Sequence, residues 1–436
     1  MKKFFFIPLL ILGFLSSCRK ELELEIIKAL DKHKNENELI ANGDFNKHMD
    51  MDDPKKNYGW SKQAYVENAA VFTWGKKIGR NQTGGISLET TGGVANDMAI
   101  TLSVVLDPIK FYRLSAWIKT EDVRGGAGAN ICLYGTWNKS QSVMATSDWQ
   151  KLSLDLPPNS KEVVIGCRLG FWSATSTGKV YFDDVSIEEI DKFVATSQHI
   201  RLVIDGEDAA VVNNQIVTSW LANLDKAYNK YYELIGDHPY AGEKITILST
   251  NTYPGGWAVA GNPILWYKPY IQQELQSIAS TGTWSFGIMH ELAHDFVLET
   301  SNKNWIINEE MFANFRMFYV VDQLNAVIFQ GGRLYTGAAL QNYYKTDAPE
   351  SYENGIGRGI PVGYDGLMYT LIRIKNSTGW DPIIKAIRDL NASSTPPGTR
   401  TQMFYLFLDK VSQYAGQNVR NTYPPGELLV IEQLLN

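Results

Sequence analysis

Hydrophobic and polar residues alternate in short runs along the first half of the chain, and Gly, Asn, Asp and Pro separate these runs. Such alternation is typical of strands that bury one face. The predicted strands are Met98–Leu106, Tyr112–Ile118, Asn130–Tyr134, Leu152–Leu156, Val163–Leu169 and Val180–Ile187. Helical periodicity is nearly absent here, so residues 39–190 are predicted to form an all-β sandwich.

After Asp191 the spacing of the hydrophobic residues changes. A predicted strand at His199–Asp205 precedes an amphipathic stretch, Asn214–Ile235, whose apolar residues recur at helical intervals. A further strand at Lys244–Leu248 is followed mostly by helical patterns to the end of the chain. We therefore predict a multi-domain chain with a boundary near residues 191 to 197 and a mainly helical α+β domain over 197–436.

The chain begins with two lysines, an apolar run from Phe4 to Leu15, and Ser16-Ser17-Cys18. This order is typical of an export signal, and a run that spans only about 18 Å as a helix is too short to cross a bilayer. Leu15 to Cys18 resembles a bacterial lipobox. The resemblance implies that residues 1–17 are removed, that Cys18 is lipidated and anchors the protein to the membrane, and that residues 18–38 form a charged tether. An ordinary signal peptide with an incidental cysteine is the alternative.

The charged leader that follows Cys18 loosely resembles the surface-export tags of Bacteroidetes lipoproteins. The resemblance implies an outer-membrane lipoprotein that is exposed at the cell surface.

Composition and charge exclude one class of partner and leave another open. The chain has 41 Lys and Arg against 47 Asp and Glu, and no basic block, so nucleic acid is not an expected partner. Its 12 Trp and 22 Tyr suit surfaces that stack on sugars, although most are expected in the core. The three cysteines are too few for a disulfide scaffold, and the sequence leaves open whether Cys132 and Cys167 are bridged.

Four segments of the predicted sandwich carry a family resemblance: Asn42–Phe45 before Trp60, Tyr112–Lys119, Ser147–Leu152 and Tyr181–Ser186. They are similar to carbohydrate-binding modules of the CenC-like type, and the similarity covers nearly all of residues 39–190. It implies that the all-β sandwich is a jelly-roll, that a glycan is its partner, and that aromatic side chains stack on sugar rings.

We predict that Trp137 and Trp172 bind glycan, since both lie at strand ends or in turn-rich loops; packed or incidental aromatic residues are the alternative. Modules of this type often hold a structural calcium ion. Asp44 and Asp184 are candidates for such a site, and a hydrogen-bonding role at the sandwich edge is the alternative.

The sequence His290-Glu291-Leu292-Ala293-His294 lies in an apolar stretch that contains no Gly or Pro from Ile288 onwards. On a helix, the spacing of four residues places both imidazoles on one face, where they can bind a zinc ion. Glu291 would then act as the general base for a water molecule that zinc activates. The alternative is a pair of solvated histidines on a helix surface.

The third metal ligand is predicted to be a carboxylate, because no histidine follows His294. The next helical segment offers Glu309 and Glu310. We favour Glu310, because a Glu followed two residues later by Phe-Ala resembles the gluzincin helix, and Asn314 lies one turn further on as a partner for a ligand histidine. Glu309 would then face solvent, and Glu299 in the connecting loop is a weaker alternative.

These residues, with Trp284, Ala258–Ile264, Tyr364–Leu367 and Gly379–Asp381, make the region from about 199 to 436 similar to enhancin-like, mucin-directed gluzincin metallopeptidases. The resemblance implies an endopeptidase that cleaves mucin-type glycoproteins and often carries a sugar-binding module. The sequence departs from that family at Ala293, where Gly is more common.

The run Trp257–Leu265 is predicted to hold an extended substrate, with Gly261 and Asn262 in the groove. Related aminopeptidases carry a Glu in this run that binds the substrate amine, and its absence here favours an endopeptidase. Tyr364 is predicted to stabilise the oxyanion.

The sequence thus predicts a surface-anchored zinc endopeptidase that docks on glycans through its β domain. A non-catalytic glycan-binding lipoprotein with a degenerate peptidase scaffold is the alternative, and the complete set of His290, Glu291, His294 and Glu310 argues against it. An aminopeptidase or small-peptide scavenger is a third hypothesis.

Overall fold

The structure is a computed structural model and describes residues 39–157, 160–282, 284–298, 303–394 and 398–436. The predicted signal peptide, Cys18, the tether and Glu299 lie outside the described residues. The chain divides into two compact units, the first ending at Ile190 and the second beginning at Asp191. No helix within the described ranges is long and apolar enough to cross a lipid bilayer.

The first unit is built from two antiparallel sheets, which confirms the all-β prediction for this region. Its strands, β1 to β9, are Ser61–Ala64, Ala70–Gly75, Gly85–Thr90, Met98–Val105, Phe111–Arg124, Ala129–Leu133, Ala145–Asp155, Glu162–Leu169 and Thr177–Ile190. One sheet has the order β1-β4-β8-β6 and the other the order β2-β3-β9-β5-β7. Buried residues of both sheets, such as Ile100, Ile118 and Phe182, belong to one hydrophobic cluster, so the two sheets share a core.

Strand register answers the open question about the two cysteines. Cys167 on β8 lies opposite Ile131 on β6, whereas Cys132 lies opposite Gly166. Because successive side chains of a strand point to opposite faces, the two thiols lie on opposite faces of the sheet. Both are buried free thiols, and burial raises the pKa of Cys132 to about 11. They are not bridged.

The second unit contains a mixed sheet of the order β10-β11-β12-β14-β13. These strands are Lys192–Thr196, Ile200–Asp205, Ile245–Thr250, Ala258–Val259 and Ile264–Tyr267 for β10 to β14. Strands β11, β12 and β14 run parallel, and the outer strands β10 and β13 pair antiparallel to their neighbours. A smaller sheet contains β15 to β17, at Trp284–Ser285, Ile328–Gln330 and Arg333–Tyr335.

Helices make up most of the rest of the second unit. The α-helices α1 to α10 are Gly206–Ala209, Asn214–Ile235, Ile271–Thr281, Phe286–Leu298, Glu309–Leu324, Gly337–Asn342, Tyr364–Thr378, Asp381–Ala392, Arg400–Ala415 and Glu427–Leu435. The 3-10 segments of the whole chain are Glu67–Ala69, Arg80–Gln82, Pro239–Gly242, Lys268–Tyr270, Tyr352–Asn354, Ile356–Arg358 and Val419–Thr422, and Tyr343–Asp347 is a π turn.

Helices α4 and α5 lie at the centre of the second unit and pack against each other. The side chains of Ile288, Met289, Leu292 and Phe296 on α4 are buried, and α5 is buried almost continuously from Met311 to Val321. Asn308 caps α5, because its side chain accepts a hydrogen bond from the Met311 amide, so Glu309 and Glu310 occupy the first turn. Both helices therefore present polar residues from a rigid, apolar support.

Candidate metal centre and substrate pocket

Three potential ligand atoms from α4 and α5 converge on one point. The Nε2 atoms of His290 and His294 lie 3.0 Å apart, and the Oε2 atom of Glu310 lies 3.1 Å from the first and 3.5 Å from the second. The motif that contains both histidines is helical, as predicted, so their spacing places both rings on one face. Together these three side chains form a group that could hold a metal ion.

The remaining nitrogen of each imidazole faces a hydrogen-bond acceptor. Nδ1 of His290 lies 3.0 Å from Oδ1 of Asn314, and Nδ1 of His294 lies 3.2 Å from Oε1 of Glu309. A proton on each Nδ1 satisfies both contacts. In this tautomer the Nε2 atom of each ring is unprotonated, and its lone pair is directed at Glu310. The second contact of each ring thus fixes its orientation.

The arrangement fits a divalent cation in both charge and distance. Two bare imidazole nitrogens and a carboxylate oxygen are all acceptors, so they repel one another at these separations unless a positive charge lies between them. Zinc bonds of about 2.0–2.1 Å in a tetrahedron place ligand atoms about 3.3 Å apart, close to the three distances observed. When the two imidazoles are instead protonated and no metal is bound, a hydrogen bond from His290 and the charge of His294 lower the pKa of Glu310 to about 2.

Glu309 does not face solvent as predicted. Its Oε1 atom contacts the Nδ1 atom of His294 and also forms an ion pair with Arg316 two turns further along α5. The Arg316 side chain is only 1% exposed, and burial lowers its pKa while the charge of Glu309 opposes that shift. Glu309 therefore orients His294 and neutralises a buried cation, which leaves Glu310 as the carboxylate of the group that could hold a metal ion.

Glu291 lies beside this group and lines the same pocket. Burial raises the pKa of its carboxyl above the ordinary value, and the neighbouring imidazoles and a hydrogen bond from the Ala260 backbone oppose that shift. A carboxylate with a raised pKa suits proton transfer near neutral pH. The hydrogen bond from Ala260 also joins the base directly to the segment that follows β13.

The pocket around these residues has a volume of about 690 Å³. Its lining comes from the β13 region, helices α3, α4 and α5, and the β16–β17 turn: Gly255, Gly256, Trp257, Ala258, Val259, Ala260, Glu274, Phe286, Gly287, His290, Glu291, His294, Glu310, Phe329, Gln330 and Gly331. The sequence analysis did not single out Glu274, Phe286 or Phe329. They come from separate elements, and only the packing of these elements brings them to the motif.

One close contact fixes the pocket wall against the metal-site helix. A Cβ atom placed on Gly287 would lie 2.3 Å from Cζ3 of Trp257, so only glycine lets this ring pack on the first turn of α4. The ring of Phe286 stacks on His290 at a centroid distance of 6.0 Å. Aromatic side chains thus flank the predicted ligands.

The residues that line the pocket precede those predicted for the substrate groove by a few positions. Residues 255–260 line the pocket, whereas Gly261 and Asn262 are not among its lining residues in the described part of the chain. Asn262 accepts a hydrogen bond from the Thr246 amide and donates one to the Lys244 carbonyl, so its side chain anchors the loop to β12. The Gly261 amide donates to the buried Asp295 carboxylate.

Tyr364 begins α7 and packs partly buried against the core of the second unit. It is not among the described residues that line the pocket. Its predicted role in oxyanion stabilisation stays a prediction.

In the first unit, the structure brings the two predicted glycan-binding residues together. The ring centroids of Trp137 and Trp172 are 5.5 Å apart, and Phe171 lies 6.0 Å and 6.3 Å from them. We call these three residues the aromatic rim. Trp137 is 78% exposed and Trp172 41% exposed, so both present ring surface to solvent.

Arg168 packs against two rings of the aromatic rim. Its guanidinium group lies 4.7 Å from the Phe171 ring and 5.4 Å from the Trp172 ring, and it forms an ion pair with Asp97. The Nε1 atom of Trp172 also donates a hydrogen bond to the Thr136 carbonyl, 3.2 Å away. These contacts hold the rings in place before any ligand binds.

The two candidate calcium ligands line another cavity of the first unit. Asp184 forms an ion pair with Arg80, and Asp44 accepts hydrogen bonds from the Asn46 amide and side chain. Neither carboxylate belongs to a group of three potential metal ligands among the residues that the structure describes. The contacts present are those of the alternative, hydrogen-bonding role.

No family model matches the chain, and no curated protein matches it significantly. Among solved structures, a metallopeptidase from Bacteroides thetaiotaomicron is 13% identical with a TM-score of 0.39, and the match covers 70% of this chain and 57% of the other. A metallopeptidase in complex with Tn antigen is 13% identical with a TM-score of 0.38, covering 73% and 64%. A CBM4 structure is 20% identical with a TM-score of 0.26, covering 34% and 99%. These similarities are distant, and this chain spans less than two thirds of either metallopeptidase.

Proposed function

We propose that the chain is a zinc endopeptidase in which His290, His294 and Glu310 hold the metal and Glu291 is the general base. The observation that carries this proposal is the convergence of two Nε2 atoms and one carboxylate oxygen, 3.0 to 3.5 Å apart, in a pocket that also contains Glu291. The chemistry that zinc supplies when bound in such a site is polarisation of the scissile carbonyl and acidification of water.

Other residues of the chain transfer the proton, bind the substrate and orient the imidazoles. Glu291 accepts the proton of the attacking water and returns it to the leaving amine. Strand β13 ends its sheet and leads into the pocket, so the backbone of residues 258–260 can pair with an extended peptide. Asn314 and Glu309 keep the two imidazoles in the orientation that the metal requires.

An endopeptidase is favoured because the run Ala258–Asn262 contains no carboxylate that could hold a free amine. We propose mucin-type glycoproteins as substrates and a lipid anchor on Cys18, on the strength of the sequence resemblances described above. The exposed aromatic rim supports a glycan partner, since paired aromatic rings offer flat apolar surfaces for sugar stacking.

Metal content and cleavage test the proposal together. Residues 19–436, purified and analysed for metal, are expected to hold one zinc ion per chain and to cleave an O-glycosylated mucin. A chelator should abolish cleavage, and added zinc should restore it, because the ligand residues survive the removal of the metal. The absence of bound metal and of cleavage after zinc addition would leave the alternative, a non-catalytic glycan-binding lipoprotein.

Trp137→Ala is expected to weaken binding to a mucin glycan surface by roughly 5-fold or more, since loss of one stacked ring removes about 1 kcal/mol or more. Glycan arrays or calorimetry on the purified protein would measure the change. Tyr65→Ala is the matched control, because Tyr65 is an 81% exposed aromatic of the same unit outside the aromatic rim. Equal binding by both variants would contradict a role for the aromatic rim.

A further inference from the structure

Glu274 is a carboxylate in the pocket for which the proposed reaction has no use. It lies in the first turn of α3 and lines the same pocket as His290 and Glu291. Ser285, the residue just before α4, donates a hydrogen bond to it, and burial raises the pKa of its carboxyl. A second acid is therefore held against the pocket at the N-terminal end of the metal-site helix.

Glu274 lines the same pocket as His290, Glu291 and Glu310, so a ligand that fills this pocket contacts Glu274 as well as the candidate metal ligands. Ser285 directly precedes α4, the helix that carries His290, and its hydrogen bond to Glu274 holds the carboxyl group near the start of that helix. A substrate side chain next to the bond that is cut can therefore meet Glu274.

The pocket lining that the structure describes contains three carboxyl groups and no basic side chain. Its carboxylates are Glu274, Glu291 and Glu310, and no Lys or Arg is among the lining residues that the structure describes. A divalent ion would offset the charges of Glu291 and Glu310 and leave that of Glu274. The only partner that lowers the pKa of Glu274 is the neutral hydroxyl of Ser285.

The pocket walls suit the stem of a cationic side chain. Trp257, Phe286 and Phe329 line the same pocket as Glu274. Aromatic faces bind both the methylene groups of Lys or Arg and the positive charge itself.

We propose that Glu274 determines specificity by binding the cationic nitrogen of a substrate Lys or Arg side chain beside the scissile bond. This inference rests on the proposed peptidase function and names the chemistry that the pocket selects. Glu274 touches the substrate at a distance from the reacting atoms, so it affects discrimination between substrates more than the chemical step.

The test uses peptides based on a cleavage site mapped in mucin, with Lys or norleucine beside the scissile bond and a free or acetylated N-terminus. The wild-type protein is expected to prefer Lys by about 10- to 100-fold in kcat/KM, the value of a charge-assisted hydrogen bond. Glu274→Gln keeps the size of the side chain and its contact with Ser285, so it should remove this preference while leaving zinc content at the wild-type level. Glu243→Gln, an exposed acid of the same unit, is the matched control.

The two sources of the cation separate in the same assay. A Lys preference that survives acetylation identifies the side chain and supports the inference. A rate that collapses on acetylation identifies the α-amino group and would overturn both the inference and the endopeptidase proposal, because the protein would then be an aminopeptidase. Equal cleavage of Lys and norleucine peptides by the wild type, with no effect of acetylation, would overturn the inference and leave the peptidase proposal standing. A cation preference that Glu274→Gln retains would also overturn the inference, because Glu274 would then be only a favourable first-turn acid of α3.

A binding measurement keeps the inference testable if no peptide is cleaved. Calorimetry with zinc-loaded Glu291→Gln protein is expected to show tighter binding of the Lys peptide than of the norleucine peptide. The double variant Glu291→Gln/Glu274→Gln should bind both equally. Equal binding by the single variant would overturn the inference independently of catalysis.

Discussion

Glu291→Gln is expected to lower kcat/KM for peptide cleavage by roughly 10²- to 10⁴-fold, the contribution of a positioned general base. Glutamine has the shape of the native side chain but cannot accept a proton from water. The Nε2 atoms of His290 and His294 and the Oε2 atom of Glu310 are untouched by this change, so zinc content should stay at the wild-type level. Cleavage kinetics and metal analysis of the same preparation would measure both quantities.

The control for this prediction is Glu243→Gln, which removes an exposed carboxylate of the second unit. It should retain wild-type kcat/KM and wild-type zinc content. If Glu291→Gln retained full activity with bound zinc, Glu291 would not be the base, and another residue lining the pocket would have to accept the proton. If it lost zinc as well, its effect would be structural rather than catalytic.

The elements of both units follow from local patterns that the sequence displays directly. The alternation around Ile100 and Ile165 predicted buried strands, and the helical spacing in 214–235 predicted the helix Asn214–Ile235 at the observed bounds. The spacing of His290 and His294 likewise predicted their common face, because four residues make about one helical turn. These predictions need no knowledge of the tertiary packing.

The role of Glu309 was missed although the sequence contains a signal for it. Arg316 is a lone cation within a hydrophobic stretch of α5, and it follows Glu309 by seven residues, or about two turns, on the same face. A buried arginine requires a partner, and this spacing offers Glu309. The prediction that Glu309 faces solvent followed from the choice of Glu310 as the ligand and did not consider the burial of Arg316.

Other features depend on tertiary packing that no local pattern specifies. Trp137 and Trp172 are distant in sequence, and their rings meet only in the folded first unit. Glu274 and Phe329 reach the pocket from α3 and the small sheet for the same reason. Asn262 was predicted to lie in the substrate groove because it belongs to the run Trp257–Leu265. Its side chain instead forms hydrogen bonds with the backbone of Lys244 and Thr246.

Substitutions of the two adjacent acids on α5 are expected to separate metal binding from folding. Glu310→Ala should abolish stoichiometric zinc binding while leaving the folded protein stable, because the Glu310 side chain is 74% exposed.

Glu309→Gln should keep the zinc ligands but weaken zinc affinity by roughly 10- to 100-fold, as is typical when the partner of a ligand histidine is lost. It should also destabilise the second unit by about 3–5 kcal/mol, because it leaves the buried Arg316 without its counter-charge.

Zinc titration and thermal unfolding of the metal-free variants measure these two effects independently. Comparison without metal matters, because bound zinc would itself stabilise the folded state and obscure the loss of the Arg316 ion pair. Zinc bound equally by Glu310→Ala and the wild type would reassign the third ligand to Glu309 or Glu299. Unchanged unfolding of Glu309→Gln would mean that Arg316 finds another counter-charge. The opposite pattern, in which Glu309→Gln loses zinc and Glu310→Ala keeps it, would exchange the roles that the geometry gives to these two neighbouring acids.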